Sequence, residues 1–113
     1  MKRNEIWLIN LEPTIGAEIK KTRPAVIVNH DELGALPLKI IVPITDWKEN
    51  YIDAPWMVKL IPDKNNNLTK ISSADCFQVR SISEERFVRQ IGKIKDLEMT
   101  KINHSLSLVL KLL

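Results

Sequence analysis

The chain has 113 residues, 44% hydrophobic and 27% charged, a composition that fits one globular domain and excludes a disordered chain. The net charge of +3 permits a nucleic-acid partner without requiring one. The single cysteine excludes an internal disulfide. The basic N-terminus could mimic a signal peptide, but the apolar run Ile6–Leu11 that follows it is too short for one, and no run of about 18 apolar residues occurs, so we expect a cytoplasmic protein.

Short segments rich in β-branched and aromatic residues, separated by turn signals, predict a mainly β structure. In the first segment, Trp7 and Ile9 should lie on one face of a strand and Ile6 on the other. The continuous apolar run Ala25–Val28 indicates a strand buried on both faces. The predicted strands are Glu5–Leu11, Pro24–Asn29, Leu38–Ile44, Ala54–Ile61, Ala74–Val79 and Phe87–Ile91.

The end of the chain changes to helical spacing, and Asp96 is the expected N-cap of a helix. A shorter helical turn is expected from Ser83. We therefore predict an α+β fold over residues 1–113, a single domain in which an SH3-like small β-barrel is covered at one open end by a C-terminal helix. The apolar residues with helical spacing are Leu97, Ile102, Leu106, Val109, Leu110 and Leu113.

The sequence lacks the common catalytic motifs. His30 and His104 stand alone, no P-loop or HExxH segment occurs, and no acidic cluster is typical of a two-metal site. Cys76 lies in an apolar segment, which indicates an inert buried thiol. We expect no metal ion and no cofactor. A hydrolase with none of these motifs would need another chemistry, and cleavage of RNA by its own 2′-hydroxyl is one such chemistry, because the substrate supplies the nucleophile.

Two segments place polar side chains at strand ends. Arg23 follows Lys20 and Lys21 and precedes Pro24, so its guanidinium would lie at the rim of the barrel, where it could bind a phosphate through two donors. Thr45 falls where a strand leaves the sheet, and its hydroxyl could reach a ligand there. From composition alone, a solvated charge run and a turn threonine remain the simpler interpretations.

Four segments, in order along nearly the whole chain, resemble the MazF/PemK toxin family. Lys21–Val28 resembles the family pattern K-x-R-P followed by apolar residues, and Val42–Thr45 resembles its segment with threonine after Pro-Ile. The opening, Glu5–Glu18, contains the family's E-I-W and L-E-P-T-x-G-x-E elements, and Gln78–Phe87 matches its Q-x-R segment. Each segment alone is only moderately specific for the family, but the four together, in the same order, make the resemblance strong.

The resemblance implies an SH3-like barrel with a C-terminal helix, a homodimer, and an antitoxin protein partner. It also implies metal-independent, sequence-specific cleavage of single-stranded RNA. The family's catalytic arginine and threonine fall on Arg23 and Thr45. Gln78 and Arg80 match the Q-x-R residues and are expected to bind RNA. Two further groups are expected to contact RNA: the basic residues Lys20 and Lys21, and Trp47, which could stack on a base.

The sequence departs from one branch of the family. That branch has a histidine after the early glycine, where this chain has Ala17, and an arginine and an aspartate where this chain has Asp75 and Phe77. The Arg23 and Thr45 version of the site is therefore the one predicted, and a structural hydrogen-bond role is expected for Asp75. Two other functions remain open: a gyrase-poisoning toxin of the CcdB type, which shares this fold, and a catalytically weakened RNA-binding module.

Overall fold

The computed structural model describes residues 1–33 and 35–112 and contains seven strands and one α-helix in this part of the chain. Leu113, the last residue of the predicted helical pattern, lies outside the described residues. Short 3-10 turns cover Asp31–Leu33, Glu49–Asp53, Cys76–Gln78 and Glu84–Arg86. The strands are β1 (Glu5–Asn10), β2 (Thr22–Ile27), β3 (Leu38–Asp46), β4 (Met57–Leu60), β5 (Ser72–Asp75), β6 (Arg80–Ser83) and β7 (Phe87–Lys93), and the helix is α1 (Asp96–Val109).

The strands form one antiparallel sheet in the order β4-β5-β3-β2-β1-β7, with β6 paired to β3. Strand β3 is shared between two parts of this sheet. Its residues 38–43 pair with β6 and β2, whereas Ile44–Asp46 pair with β5. The sheet therefore bends at β3, as a small barrel requires. The predicted mainly β architecture with one C-terminal helix is confirmed.

The alternation of side chains along the strands divides the core into two clusters, one on each face of β1 and β2. Ile6 and Val26 belong to the first cluster, and Ile9 and Ile27 belong to the second. All four side chains are fully buried. Trp7 packs against the second cluster with Ile9, so the predicted faces of the first strand are confirmed, as is the two-sided burial of Ala25–Val28.

Helix α1 packs on the first cluster through Met99 and Ile102. The hydroxyl of Ser105 donates a hydrogen bond of 2.7 Å to the Pro55 carbonyl, which ties the helix to the segment before β4. The prediction of Asp96 as N-cap is wrong by one residue. Lys95 is the N-cap, and its backbone N–H donates to the Glu98 carboxylate at 3.1 Å. None of the described helices is long and apolar enough to cross a membrane.

Among the predicted strands, the fourth and the fifth differ most from the structure. Strand β4 begins at Met57 rather than Ala54, because the Ala54 N–H bonds to the Tyr51 carbonyl and closes a 3-10 turn. The predicted strand Ala74–Val79 is interrupted by the turn Cys76–Gln78. Asp75 caps this turn, since its carboxylate accepts the Phe77 N–H at 3.1 Å. This is the structural role expected for Asp75, whose burial raises the pKa of its carboxyl group.

The loop between β4 and β5 is fixed against β7 by close backbone packing. The side chain of Asn66 is fully buried and donates to the Ile61 carbonyl at 2.9 Å. Gly92 lies directly beneath the loop, where a Cβ atom would be 2.3 Å from the Asn65 carbonyl oxygen. Only a residue without a side chain permits this approach. The following residues, Asn67–Lys70, are thereby held in position as one wall of the cavity described next.

Candidate active site

Two prolines mark the place where β2 and β3 separate. The hydrogen-bonded ladder between these strands ends with the pair Ala25 and Pro43. Pro24 lies just beyond this pair and has no N–H to contribute, so the ladder cannot continue there. Arg23 and Thr45 each stand two residues beyond this last pair, on the two strands that separate there. Strand β2 begins at Thr22 rather than at Pro24, which places Arg23 on the strand itself.

Beyond this separation lies a cavity of about 480 Å³, which we call the Arg23–Thr45 cavity. Both residues line it. Its apolar wall is made by Ile44, Leu68 and Ile91. Polar side chains at its rim and an apolar wall beneath them are typical of sites that bind organic ligands.

The side chains of Arg23 and Thr45 are free to bind a ligand. Arg23 is exposed, and its Nε donates to the Lys20 carbonyl at 3.3 Å, which orients the guanidinium. Its two terminal nitrogens form no hydrogen bond with the described residues. Thr45 is half-buried, and its hydroxyl likewise has no partner among them. The pair therefore offers a two-donor fork and a hydroxyl at one position.

The cavity carries an excess of positive charge. Lys70 forms an ion pair with Asp46 at 3.0 Å, and both side chains are exposed. Arg23 and Arg89 also line the cavity, and neither forms a salt bridge within the described residues. Sequence reasoning did not single out Arg89, although a charge inside the apolar segment Phe87–Ile91 was a usable signal. Such a surface attracts a polyanion.

Gln78 and Arg80 line a different cavity, which we call the Gln78 cavity. Gln78 closes the loop before β2, since it accepts the Ile19 N–H at 2.6 Å and donates to the Ala17 carbonyl at 3.2 Å. Pro43 also lines this cavity and stands two residues before Thr45, on the same face of β3. The two cavities therefore approach each other along β3, and we call Arg23 and Thr45 the lip of the Arg23–Thr45 cavity.

The other RNA-contacting residues predicted from the sequence lie outside both cavities. Lys20 and Lys21 are exposed on the segment before β2. The ring of Trp47 contacts Tyr51 edge-on and has the Lys59 ammonium 5.0 Å from its centroid. RNA contacts by these residues stay predictions. Phe77, in contrast, is 66% exposed and lines the Gln78 cavity, where its ring is open to a base.

The other side chains that could take part in catalysis are Cys76, His30 and His104. Cys76 is fully buried, and this burial raises the pKa of its thiol to about 11, so the thiolate form is disfavoured at neutral pH. His104 is exposed on α1, and His30 is exposed and accepts the Glu32 N–H at 3.0 Å. Within residues 1–33 and 35–112, no three or more His, Cys, Asp or Glu side chains are grouped as metal ligands.

The fold defines the class of protein. The crystal structure of MazF from Deinococcus radiodurans superposes with a TM-score of 0.79, covering 98% of this chain and 96% of that one, at 18% identity. A mycobacterial endoribonuclease solved in complex with its cognate antitoxin superposes with a TM-score of 0.75, covering 98% and 95%, at 19% identity. The bent sheet with one C-terminal helix is therefore the fold of the MazF toxins, which confirms the predicted fold class.

Sequence comparison then gives the family. The model of the PemK-like, MazF-like toxins of type II toxin–antitoxin systems matches residues 2–110. Endoribonuclease MazF9 of Mycobacterium tuberculosis is 31% identical over 118 residues, covering 99% of this chain and 98% of its own length. This chain belongs to the PemK-like, MazF-like toxin family, and the predicted resemblance is confirmed.

Proposed function

We propose that this chain is the toxin of a type II toxin–antitoxin system and an endoribonuclease that cuts single-stranded RNA at specific sequences without a metal ion. The observation that carries the proposal is that Arg23 and Thr45 line the same positively charged cavity. Two relatives named endoribonucleases, both of which match almost the whole chain, support the reaction class.

In the proposed reaction, the 2′-hydroxyl of the nucleotide before the cut attacks the adjacent phosphorus. The new O2′–P bond forms and the P–O5′ bond breaks, which leaves a 2′,3′-cyclic phosphate and a 5′-hydroxyl end. The proton lost by the 2′-hydroxyl is balanced by the proton gained at O5′. Arg23 stabilises the negative charge that develops on the phosphorane oxygens, and Thr45 orients one of these oxygens or the attacking hydroxyl. An arginine stays protonated at neutral pH, so charge stabilisation is its main role.

The Gln78 cavity supplies the surface for bases on one side of the lip. Phe77 offers an exposed ring for stacking, and Arg80 adds positive charge at its edge. Single-stranded RNA is recognised in this way because its unstacked bases present both a flat apolar face and a polar edge. Sequence selectivity of the enzyme would then depend on this cavity.

The proposal includes two protein partners and a location. The first partner is a cognate antitoxin, since a mycobacterial neighbour of the same fold was solved in complex with one. The second is another copy of this chain, because Leu108 near the end of α1 and Leu110 just after it are about half exposed in a protein of this small size. Both the toxin and its RNA substrate would meet in the cytoplasm.

We expect RNA cleavage to continue in excess EDTA, because Arg23 supplies the charge stabilisation that a metal ion would otherwise provide. The test is incubation of the purified protein with a long single-stranded RNA, with and without EDTA, followed by gel analysis. A gyrase supercoiling assay in parallel serves as the control for the CcdB-type alternative. Cleavage that stops in EDTA and returns with magnesium would contradict the proposed mechanism, and inhibition of gyrase without RNA cleavage would replace it.

A further inference from the structure

We propose that the Arg23–Thr45 cavity is a nucleotide subsite, in which Arg89 binds the phosphate next to the scissile one. This inference rests on the proposed function, because it assumes that the scissile phosphate lies at Arg23. It adds Arg89, a residue to which the family resemblance did not point. It also defines a path for the RNA strand, from the Gln78 cavity past Arg23 and Thr45 into this cavity.

Strand pairing sets the position of Arg89. Leu8 of β1 pairs with Pro24 of β2 on one side and with Arg89 of β7 on the other. Two strand spacings, about 10 Å, therefore separate the backbones of Arg89 and Pro24. Arg23 precedes Pro24, so the two arginines reach the cavity from two different strands, β2 and β7. Side chains of this length can hold two successive phosphates of an extended RNA strand.

A β-bulge directs the Arg89 side chain into the cavity. The register between β1 and β7 shifts from Leu8–Arg89 to Ile9–Phe87, which leaves Val88 as the extra residue. Arg89 consequently shares the face of Leu8 and lines the cavity, whereas Phe87 packs on the second core cluster. Without the bulge, strict alternation would place residues 87 and 89 on the same face.

Arg89 makes no hydrogen bond or ion pair with the described residues, and its side chain is exposed. Lys70 in the same cavity differs, because its charge is paired with Asp46. An unpaired guanidinium on the wall of a cavity has its donors available for an anion, and phosphate matches the geometry of its fork.

The rest of the cavity suits the sugar and base of one nucleotide. Ile44, Leu68 and Ile91 provide an apolar wall, and Asn67 and Thr69 place an amide and a hydroxyl beside it. The volume of about 480 Å³ falls within the usual range for small-ligand sites. A base has the same combination of apolar face and polar edge.

The test compares Arg89→Gln with Lys101→Gln, which removes one positive charge from an exposed position on α1 outside both cavities. Cleavage kinetics are measured on an RNA carrying a mapped cleavage site. Binding is measured on the same RNA with a 2′-O-methyl group before the cut, over a range of salt concentrations. For Arg89→Gln we expect KM to rise about tenfold with little change in kcat, because the contact is present both in the enzyme–substrate complex and in the transition state.

The salt dependence gives a second readout. Loss of one phosphate contact should lower the slope of log K against log salt by about 0.7 in Arg89→Gln and leave it unchanged in Lys101→Gln. Unchanged KM and slope in Arg89→Gln, while the wild-type protein binds and cuts RNA, would overturn this inference alone. The inference would also be overturned if Lys101→Gln raised KM and lowered the salt slope as much as Arg89→Gln does. If the wild-type protein neither binds nor cuts RNA, the proposed function fails, and this inference fails with it.

Discussion

Replacing Arg23 by alanine is expected to lower kcat for RNA cleavage by about a hundredfold or more while leaving the protein folded. The loss is large because a preorganised donor to the developing charge acts mainly in the transition state. The fold should survive because Arg23 is exposed and its side chain makes one hydrogen bond within the described residues, to the Lys20 carbonyl. RNA binding should weaken less than catalysis, since Arg89 and Lys70 remain in the cavity.

Two companion variants sharpen this result. Arg23→Lys keeps the charge but loses the planar fork, so a substantial loss of kcat would support two-donor binding over simple attraction. Thr45→Ala should be less severe than Arg23→Ala, because a hydroxyl orients the phosphate and does not neutralise it. The measurements are single-turnover cleavage rates, with circular dichroism as the check on folding. Full activity in folded Arg23→Ala would refute the site assignment.

Gly92→Ala is expected to destabilise the protein by about 1–3 kcal/mol, the cost of overpacking. The added Cβ would lie 2.3 Å from the Asn65 carbonyl oxygen, and both are backbone-fixed positions that cannot rotate away. The unfolding free energy, measured with urea, reports this loss. Val88→Ala on the same strand is the control, because Val88 is 58% exposed and its truncation should change stability by about 0.5 kcal/mol or less.

Gly92→Ala should also raise KM for RNA. The loop that must shift away from β7 continues into Asn67–Lys70, which line the Arg23–Thr45 cavity. Arg23 and Thr45 themselves lie on β2 and β3 and should keep their positions, so kcat should change less than KM. A Gly92→Ala protein with wild-type stability would show that the loop is not held against β7 as described.

Several parts of this structure could be predicted from sequence because they depend on local patterns. The burial of Ala25–Val28 follows from a continuous apolar run, and the C-terminal helix follows from apolar spacing. Arg23 and Thr45 could be singled out because a proline stands close to each in the chain. The pairing of Ala25 with Pro43 brings the two local signals to one place, and it was the family resemblance, not a prediction of this pairing, that named both residues as catalytic.

Other parts depend on contacts that local patterns do not encode. The interruption of the predicted strand Ala74–Val79 follows from one side-chain hydrogen bond, from the Phe77 N–H to Asp75, within an otherwise apolar run. The separation of Gln78 from the Arg23–Thr45 cavity depends on its bonds to the loop before β2. Arg89 reaches the cavity because Leu8 pairs with both β2 and β7, a relation between strands far apart in sequence.

The central claim is that this protein cuts RNA by using the substrate's own 2′-hydroxyl. The most direct test is a synthetic RNA that contains a mapped cleavage site, compared with the same RNA carrying one 2′-deoxy nucleotide immediately before the cut, both in EDTA. We expect the unmodified RNA to give a 2′,3′-cyclic phosphate and a 5′-hydroxyl, identified by mass spectrometry, and the deoxy RNA to stay intact. Cleavage of the deoxy RNA at that position, or products with 5′-phosphate ends, would contradict the mechanism.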